Sequence, residues 1–176
     1  DILEKCGKVA VIDHHRKGVG YIQNPDLVCH EPYSSSASEL VTELLQYVGE
    51  RDDKPNRVEA EGLLSGIMLD TRDFTLHTGV RTFEAAAALR RYGAETERVR
   101  QLFDVTMVEY NAKAGLVEKA KMYRNCAISI GGEVAAEARV AIAQAANDLL
   151  TIQGVDASFV AVQVGTGVNV SARSLG

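Results

Sequence analysis

The sequence has few cysteines, no tryptophan and no long apolar run. Its three cysteines, Cys6, Cys29 and Cys126, are odd in number and widely spaced. That spacing fits neither a disulfide framework nor a zinc finger and favours a reducing compartment. No apolar run approaches the roughly 18 residues that a membrane span needs, and no signal peptide is visible. The net charge of −5 argues against a long nucleic acid as partner, although it leaves room for a local phosphate site.

Several catalytic signatures are also missing. The sequence contains no G-x-S-x-G, P-loop or G-x-G-x-x-G motif, and no cysteine has a neighbouring base that would make it a nucleophile. The remaining composition, 46% hydrophobic and 24% charged residues, is that of an ordinary globular protein with a real core. Because the chain begins at Asp1 and ends abruptly after a strand-like run, we expect it to be an excerpt of a longer protein.

The hydrophobic pattern predicts an α/β protein in two parts, the first mostly helical and the second smaller and richer in strands. In the first part, Ser36 and Glu39 have the spacing of a capping box, and Asn56 opens another helix. Residues 16–35 are predicted as a loop with room for one short strand. The predicted strands are 8–13, 126–131, 158–165 and 169–175, and the predicted helices are 36–48, 56–70, 81–92, 95–103, 107–122 and 138–151.

The stretch VAVIDHH, residues 9–15, ends a predicted strand on three polar side chains. The carboxyl ends of strands are where α/β proteins place their sites. Asp13 can accept a hydrogen bond from an imidazole and thereby fix which ring nitrogen faces a metal. Because His14 and His15 point to opposite sides of an extended chain, we expect one metal ligand and one group that faces the substrate or transfers a proton. The alternative is a pair of surface histidines beside a capping aspartate.

A second candidate is Asp70, where an apolar helix ends in GIMLDTRDF. A carboxylate at a helix C-terminus faces the negative end of the helix dipole, which is unfavourable unless a cation compensates. The alternative is a helix-terminating Asp-Thr turn. We expect Asp73 to be solvated or to lie behind a ligand, and we interpret His77 and His30 as surface or structural histidines.

Two further stretches carry anion-binding groups. In SARS, residues 171–174, Arg173 can hold a phosphate through its planar guanidinium, with Ser171 adding a hydroxyl. An arginine at a strand end is also a common salt-bridging surface residue. Ser36, in YSSSASEL, stands where hydroxyls and free backbone N–H groups could meet an anion at a helix N-terminus, or could only cap that helix.

Taken in order, these stretches resemble the DHH phosphoesterases. VAVIDHHR, EPYSSSASELVTELL, GLLSGIMLDTRDFTLHTGVRTFEAAAALRRYGA and VNVSARSLG are similar to the DHH and DHH-associated domains of the bacterial, membrane-bound cyclic-di-AMP phosphodiesterases. The resemblance implies a DHH domain with a mostly parallel sheet flanked by helices over residues 1–106, a linker helix over 107–122 and a smaller α/β DHH-associated domain over 123–176.

The resemblance also implies the roles of residues. His14 and Asp70 match ligands of a site for two manganese ions, with Asp13 behind them. His15 would lie beside the scissile phosphate, and Arg173 matches an arginine that contacts phosphate. Ser171 and Ser36 are the accompanying substrate-binding candidates.

Parts of the family pattern are missing from the chain. A motif with a histidine and two aspartates, and a further bridging aspartate, is expected before Asp1, and a Gly-rich motif after Gly176. Ala37 occupies a place where the family often has threonine. We therefore expect the excerpt alone to be inactive.

The resulting hypothesis is a phosphodiesterase that hydrolyses cyclic-di-AMP to linear pApA. One alternative is a phosphatase of the same superfamily acting on pAp or short linear oligonucleotides; another is a domain that binds the cyclic dinucleotide without cleaving it. Family II pyrophosphatases share the DHH triad, but SARSLG argues against them. An α/β interaction module with incidental histidines would require three separate stretches to match the family pattern by chance.

A homodimer is left open, and the resemblance implies a cytoplasmic position with a membrane anchor in segments outside this chain.

Overall fold

The computed structural model describes residues 3–47, 54–133 and 139–175. The chain divides into two units, Asp1–Asp104 and Val105–Gly176, and each has its own hydrophobic core. Both units combine helices with a sheet, so the predicted α/β class is confirmed. Within the described ranges, no helix is long and apolar enough to cross a membrane.

The first unit has two short strands and four α-helices in its described part. Its elements are a 3-10 helix at Leu3–Lys5, β1 at Ala10–Asp13, β2 at Leu27–His30, α1 at Ala37–Leu45, α2 at Arg57–Asp70, α3 at Val80–Arg91 and α4 at Thr96–Gln101. β1 and β2 pair in parallel, with Asp13 opposite His30, so both strands end at the same edge. That edge carries the candidate site.

The core of the first unit lies between α2, α3 and α4. Leu64, Ile67 and Leu89 are almost fully buried there. Gly66 lets α1 approach α2 closely, because a Cβ at this position would lie 2.1 Å from Ser38 Oγ. This packing fixes the end of α2, and with it Asp70.

The second unit contains a four-stranded sheet. Its elements are α5 at Met107–Glu118, β3 at Lys121–Tyr123, β4 at Cys126–Glu133, α6 at Arg139–Leu150, β5 at Ala157–Val164 and β6 at Gly167–Ser174. The strand order is β3-β4-β5-β6; β4 and β5 are parallel and joined through α6, whereas the outer pairs are antiparallel. Buried side chains of α5, α6, β4 and β5 form the core.

The helix predicted over 107–122 is wrong at its C-terminal end. α5 ends at Glu118, and Lys121–Tyr123 forms strand β3 instead. The physical reason is a tight turn at Arg124, whose φ is 52°, which pairs Tyr123 with Cys126 in an antiparallel hairpin. Pairing along a sheet outweighs the weak helical preference of these few residues.

The two predicted helix starts differ in their capping. Asn56 accepts hydrogen bonds from the N–H groups of Val58 and Glu59, and the Glu59 carboxylate accepts one from Asn56 N–H, which is a complete capping box. Ser36 accepts from Glu39 N–H as predicted, but the Glu39 carboxylate turns to other partners. The predicted last residue of the helix 36–48 and the predicted first residue of the helix 138–151 lie outside the described residues.

Candidate active site

The turn after β1 is organised by Asp13. Asp13 Oδ1 accepts hydrogen bonds from His15 N–H at 3.1 Å and from His15 Nδ1 at 2.7 Å. These two bonds lower the pKa of the Asp13 carboxyl below its ordinary value, and the bond from the backbone N–H has the larger effect. Because Nδ1 donates to Asp13, the other nitrogen of His15, Nε2, is the one left for a ligand. The sequence predicted that Asp13 orients an imidazole; the one it contacts is His15.

His30 supports the same turn from β2. Its Nε2 lies 2.6 Å from the carbonyl oxygen of His15, so Nε2 carries the proton and donates it. The ring of Tyr21 meets the ring of His30 edge-on at a centroid distance of 5.8 Å. Of the two roles considered for His30, surface or structural, the structure therefore shows the structural one.

His14 and Asp70 come together from the ends of β1 and α2. His14 Nε2 lies 3.4 Å from Asp70 Oδ2, and the side chains are 18% and 41% exposed. The last turn of α2 contains no basic residue that would balance the helix dipole at Asp70. The rings of His14 and His15 lie side by side, with centroids 4.4 Å apart and planes tilted by 51°. The prediction that they point to opposite sides is wrong, because the chain bends at His15, whose N–H donates to Asp13 Oδ1, and is not extended there.

A cavity of about 680 Å³ opens at this pair. Its walls are two loops, one before α1 and one before α3. The lining residues are His14, Pro32, Tyr33, Ser34, Ser35, Asp70, Thr75, His77, Thr78 and Gly79. Besides the histidine and the carboxylate, the lining is rich in hydroxyl groups. Those of Ser34 and Ser35 donate to Glu39, and that of Thr78 donates to the carbonyl oxygen of Leu76.

His77, interpreted from the sequence as a surface or structural histidine, lines this cavity. Its backbone is left-handed, with φ of 51°, and so are Arg72, Asp73 and Phe74 earlier in the same loop. Such conformations cost of order 1 kcal/mol or more for each residue other than glycine, and they cluster at functional sites. The run FTLHTG alone gives no signal for this conformation, because the sequence shows no glycine where the backbone turns left-handed.

The loop of His77 is held at its beginning by packing and by charge. The ring of Phe74 stacks on Phe83 of α3, with centroids 5.7 Å apart and planes 16° from parallel. The carboxylate of Asp73 is paired with Arg100 of α4. These contacts keep the strained turn in place directly after Asp70.

The loop before α1 is held by Glu39. This carboxylate is 2% exposed and accepts hydrogen bonds from Ser34 Oγ at 2.9 Å and Ser35 Oγ at 2.5 Å. Burial raises the pKa of Glu39, but hydrogen bonds from Ser35, Thr82 and Ser34 outweigh it, so the net pKa lies below the ordinary value. Glu39 is therefore an ionised group inside the first unit.

The remaining substrate-binding candidates lie elsewhere. Ser36 is fully buried, and its hydroxyl oxygen caps α1, whereas its neighbours Ser34 and Ser35 line the cavity. Ser171 and Arg173 lie in the second unit, on one face of β6. Arg173 Nε donates to Asn147 Oδ1 of α6 at 2.9 Å, and this contact holds the guanidinium toward the helix.

The donor atoms of His14 and Asp70 fit a divalent metal. An imidazole nitrogen and a carboxylate oxygen 3.4 Å apart are spaced like neighbouring ligands of one ion, and this ligand type suits manganese and similar ions. Among the described residues, no group of three or more histidine, cysteine, aspartate or glutamate side chains is placed to hold a metal. The described part of the chain thus brings together two groups that are able to bind a metal, fewer than a stable metal site needs.

Histidine and carboxylate groups at the ends of a strand and a helix, beside a hydroxyl-lined cavity, are features of metal-dependent hydrolases. Residues 1–67 match the model of the DHH family, N-terminal domain. This part of the chain belongs to the DHH family.

Over nearly its whole length the chain is similar to two bacterial enzymes. It is 48% identical to the cyclic-di-AMP phosphodiesterase GdpP of Geobacillus thermodenitrificans, over 99% of the chain, and 41% identical to the cyclic-di-AMP phosphodiesterase PdeA of Listeria monocytogenes, over 100% of it. The chain spans 27% of the length of each of these relatives.

A solved structure shares the fold. An exopolyphosphatase-related protein from Bacteroides fragilis superposes with a TM-score of 0.81 at 21% identity, covering 97% of this chain and 52% of its own. At this identity the likeness shows the fold alone.

Proposed function

We propose that the protein containing this chain is a phosphodiesterase that hydrolyses cyclic-di-AMP to linear pApA. The observation that carries the proposal is the approach of His14 Nε2 to Asp70 Oδ2 at the mouth of a hydroxyl-lined cavity. The similarity of the whole chain to two cyclic-di-AMP phosphodiesterases supports the choice of substrate.

His14 and Asp70 would hold one of two manganese ions, together with ligands from parts of the protein outside this chain. When bound, such ions activate water and stabilise the charge on phosphoryl oxygens. The proposal of two ions rests on the family resemblance, and that of His14 and Asp70 as ligands rests also on their geometry. An isolated chain with these two ligands alone would be inactive.

The other residues of the site bind and orient. Asp13 keeps the Nδ1 proton of His15 in place, so that His15 presents Nε2 to a reacting phosphate oxygen and can exchange a proton there. The hydroxyls of Ser34, Ser35, Thr75 and Thr78 and the imidazole of His77 line the space that a phosphate would enter. Arg173 is proposed to contact a phosphate of the substrate, with Ser171 beside it.

Two alternatives make different predictions in the same assay. A phosphatase for short linear oligonucleotides or pAp would cleave pApA faster than cyclic-di-AMP, and a regulatory domain would bind cyclic-di-AMP without cleaving it. A cytoplasmic position with a membrane anchor is a further part of the proposal, which concerns the whole protein.

The test is hydrolysis by the longer protein that contains this chain. The wild type is incubated with cyclic-di-AMP and, separately, with pApA, with and without Mn²⁺, and the products are separated by chromatography. We expect Mn²⁺-dependent formation of pApA from cyclic-di-AMP. Faster cleavage of pApA, or tight binding without cleavage, would contradict the proposal in favour of one of the alternatives.

A further inference from the structure

The carboxylate of Glu39 is bonded to the loop that forms one wall of the cavity. Its two oxygens accept hydrogen bonds from the hydroxyls of Ser34 and Ser35, which both line the cavity. Glu39 itself is 2% exposed and is not a lining residue. Its influence on the cavity is therefore exerted through the loop and not through a ligand contact.

The same carboxylate is also linked, through Thr82, to the loop that forms the opposite wall of the cavity. Thr82, in the first turn of α3, lies close enough to Glu39 for its hydroxyl to lower the pKa of that carboxyl, and the same hydroxyl oxygen accepts the N–H of Gly79 at 3.1 Å. Gly79 is the last residue of the second lining loop, which also carries His77. One buried carboxylate thus connects, directly or through Thr82, to both loops of the cavity.

The second loop needs such a support. His77 has a left-handed backbone, which is strained for a residue with a side chain, and such strain persists only where the surroundings hold it. Phe74 and Asp73 hold the beginning of the loop, and the contact of Thr82 with Gly79 holds its end.

We infer that Glu39 is a positioning residue for substrate binding, which sets the two cavity loops relative to each other. The inference rests on the proposed function, because it takes a cyclic dinucleotide as the ligand of the cavity. An ionised carboxylate can accept all three hydroxyl donors. The amide of a glutamine has only one acceptor oxygen, so Glu39→Gln keeps the volume but breaks this pattern.

Glu43 offers a matched control on the same helix. Its carboxylate binds Arg81 of α3 through two bonds of 2.7 and 2.6 Å, so it also ties α1 to α3. Glu43 lines a different cavity, of about 710 Å³, together with Arg81. Glu43→Gln therefore removes a link between the same two helices without touching the loops of the site.

The experiment compares Glu39→Gln and Glu43→Gln in the longer protein. For each we would measure kcat and KM for cyclic-di-AMP, Kd for a non-hydrolysable phosphorothioate analogue, Mn²⁺ affinity and Tm. We expect Glu39→Gln to raise KM and Kd about tenfold with unchanged Mn²⁺ affinity. Glu43→Gln should leave KM and Kd at the wild-type values. A lower Tm for Glu39→Gln with wild-type KM and Kd would overturn the inference, because it would mean that Glu39 only stabilises the fold.

A second variant covers the case in which Glu39→Gln does not fold. Thr82→Val is nearly isosteric, and Thr82 is 2% exposed and does not line the cavity. It should also raise Kd, since it breaks the link to Gly79, and an unchanged Kd would contradict the inference.

The two proposals fail separately. If the wild type binds the analogue without cleaving cyclic-di-AMP, the proposed function fails and the Kd comparison still decides the role of Glu39. If the wild type neither binds nor cleaves, both are overturned.

Discussion

His14 Nε2 lies 3.4 Å from Asp70 Oδ2, although one residue follows a strand and the other ends a helix far along the chain. Two such donors act as a unit on a metal, so removing either should abolish the bound ion's function. We expect His14→Ala and Asp70→Ala each to lower kcat of the longer protein at least about 100-fold, and the double variant to be no worse than either. Steady-state hydrolysis and Mn²⁺ content by elemental analysis check this.

Asp73→Asn is the matched control for Asp70. Asp73 lies three residues later, and its carboxylate is paired with Arg100 outside the cavity lining. We expect this variant to retain its metal and to lose less activity than Asp70→Ala, because Asp73 supports the turn after Asp70 through Arg100 and is not a proposed ligand. Near-normal turnover in both His14→Ala and Asp70→Ala would show that the assignment of the site is wrong.

Asp13→Asn should impair proton transfer by His15. The amide cannot reproduce a charged acceptor for Nδ1–H, so the ring loses its fixed orientation and tautomer. A change of this kind typically costs about 10–100-fold in activity, and we expect the loss in kcat with little change in KM. Nitrogen NMR of the His15 ring would show a loss of the Nδ1–H form. Retention of that form together with a lower kcat would exclude this mechanism.

The lowered pKa of Glu39 predicts a pH dependence of stability. A carboxyl whose pKa is lower in the folded state binds fewer protons there than in the unfolded chain, so its contribution is full above its ordinary pKa of 4.5. The contribution is lost as the pH falls from that value through the lowered folded pKa. We expect the free energy of unfolding to fall in this window, less so in Glu39→Gln. Urea unfolding at several pH values tests this. The prediction is contradicted if the free energy of unfolding changes with pH equally in the wild type and in Glu39→Gln.

The two proposed metal ligands could be predicted because each stands where a local pattern stops. The apolar run ends at Ile12 and strand β1 at Asp13, directly before His14, and the apolar helix ends at Asp70, so strand and helix signals alone indicate both positions. Their meeting is a tertiary contact, and it depends on the packing of α2. Local patterns predict where helices and strands end, but they do not predict which of these ends come close together in the folded protein.

His77 and Glu39 show why the rest of the site escaped prediction. His77 reaches the cavity lining because its loop is left-handed, and nothing in the neighbouring residues requires that conformation. Glu39 has the spacing of a capping box, and only half of the box forms, because the hydroxyls of Ser34 and Ser35 are better placed for its carboxylate. Both outcomes are decided by competition among contacts that local spacing does not reveal.

His77→Asn tests the side chain of His77 apart from its backbone. Asparagine tolerates the left-handed conformation, so the loop should persist while the imidazole is lost. A hydrogen bond to a charged group is worth about 1.5–3 kcal/mol, which corresponds to a rise in KM of about tenfold or more. His77→Gly, which removes the strain as well, should give the same KM and a higher Tm. A wild-type KM in both variants would exclude a substrate contact.

Arg173→Lys tests the proposed phosphate contact in the second unit. Lysine keeps the charge, but it loses the Nε–H bond to Asn147 and the planar fork that fits a phosphate. We expect KM for cyclic-di-AMP to rise about tenfold while kcat and Mn²⁺ affinity stay near the wild type. The control is Arg124→Lys, because the guanidinium of Arg124 lies over the ring of Tyr123, 5.6 Å from its centroid, and serves no proposed ligand. If both substitutions raise KM equally, the effect does not depend on the position of the arginine, and the specific contact at Arg173 is excluded.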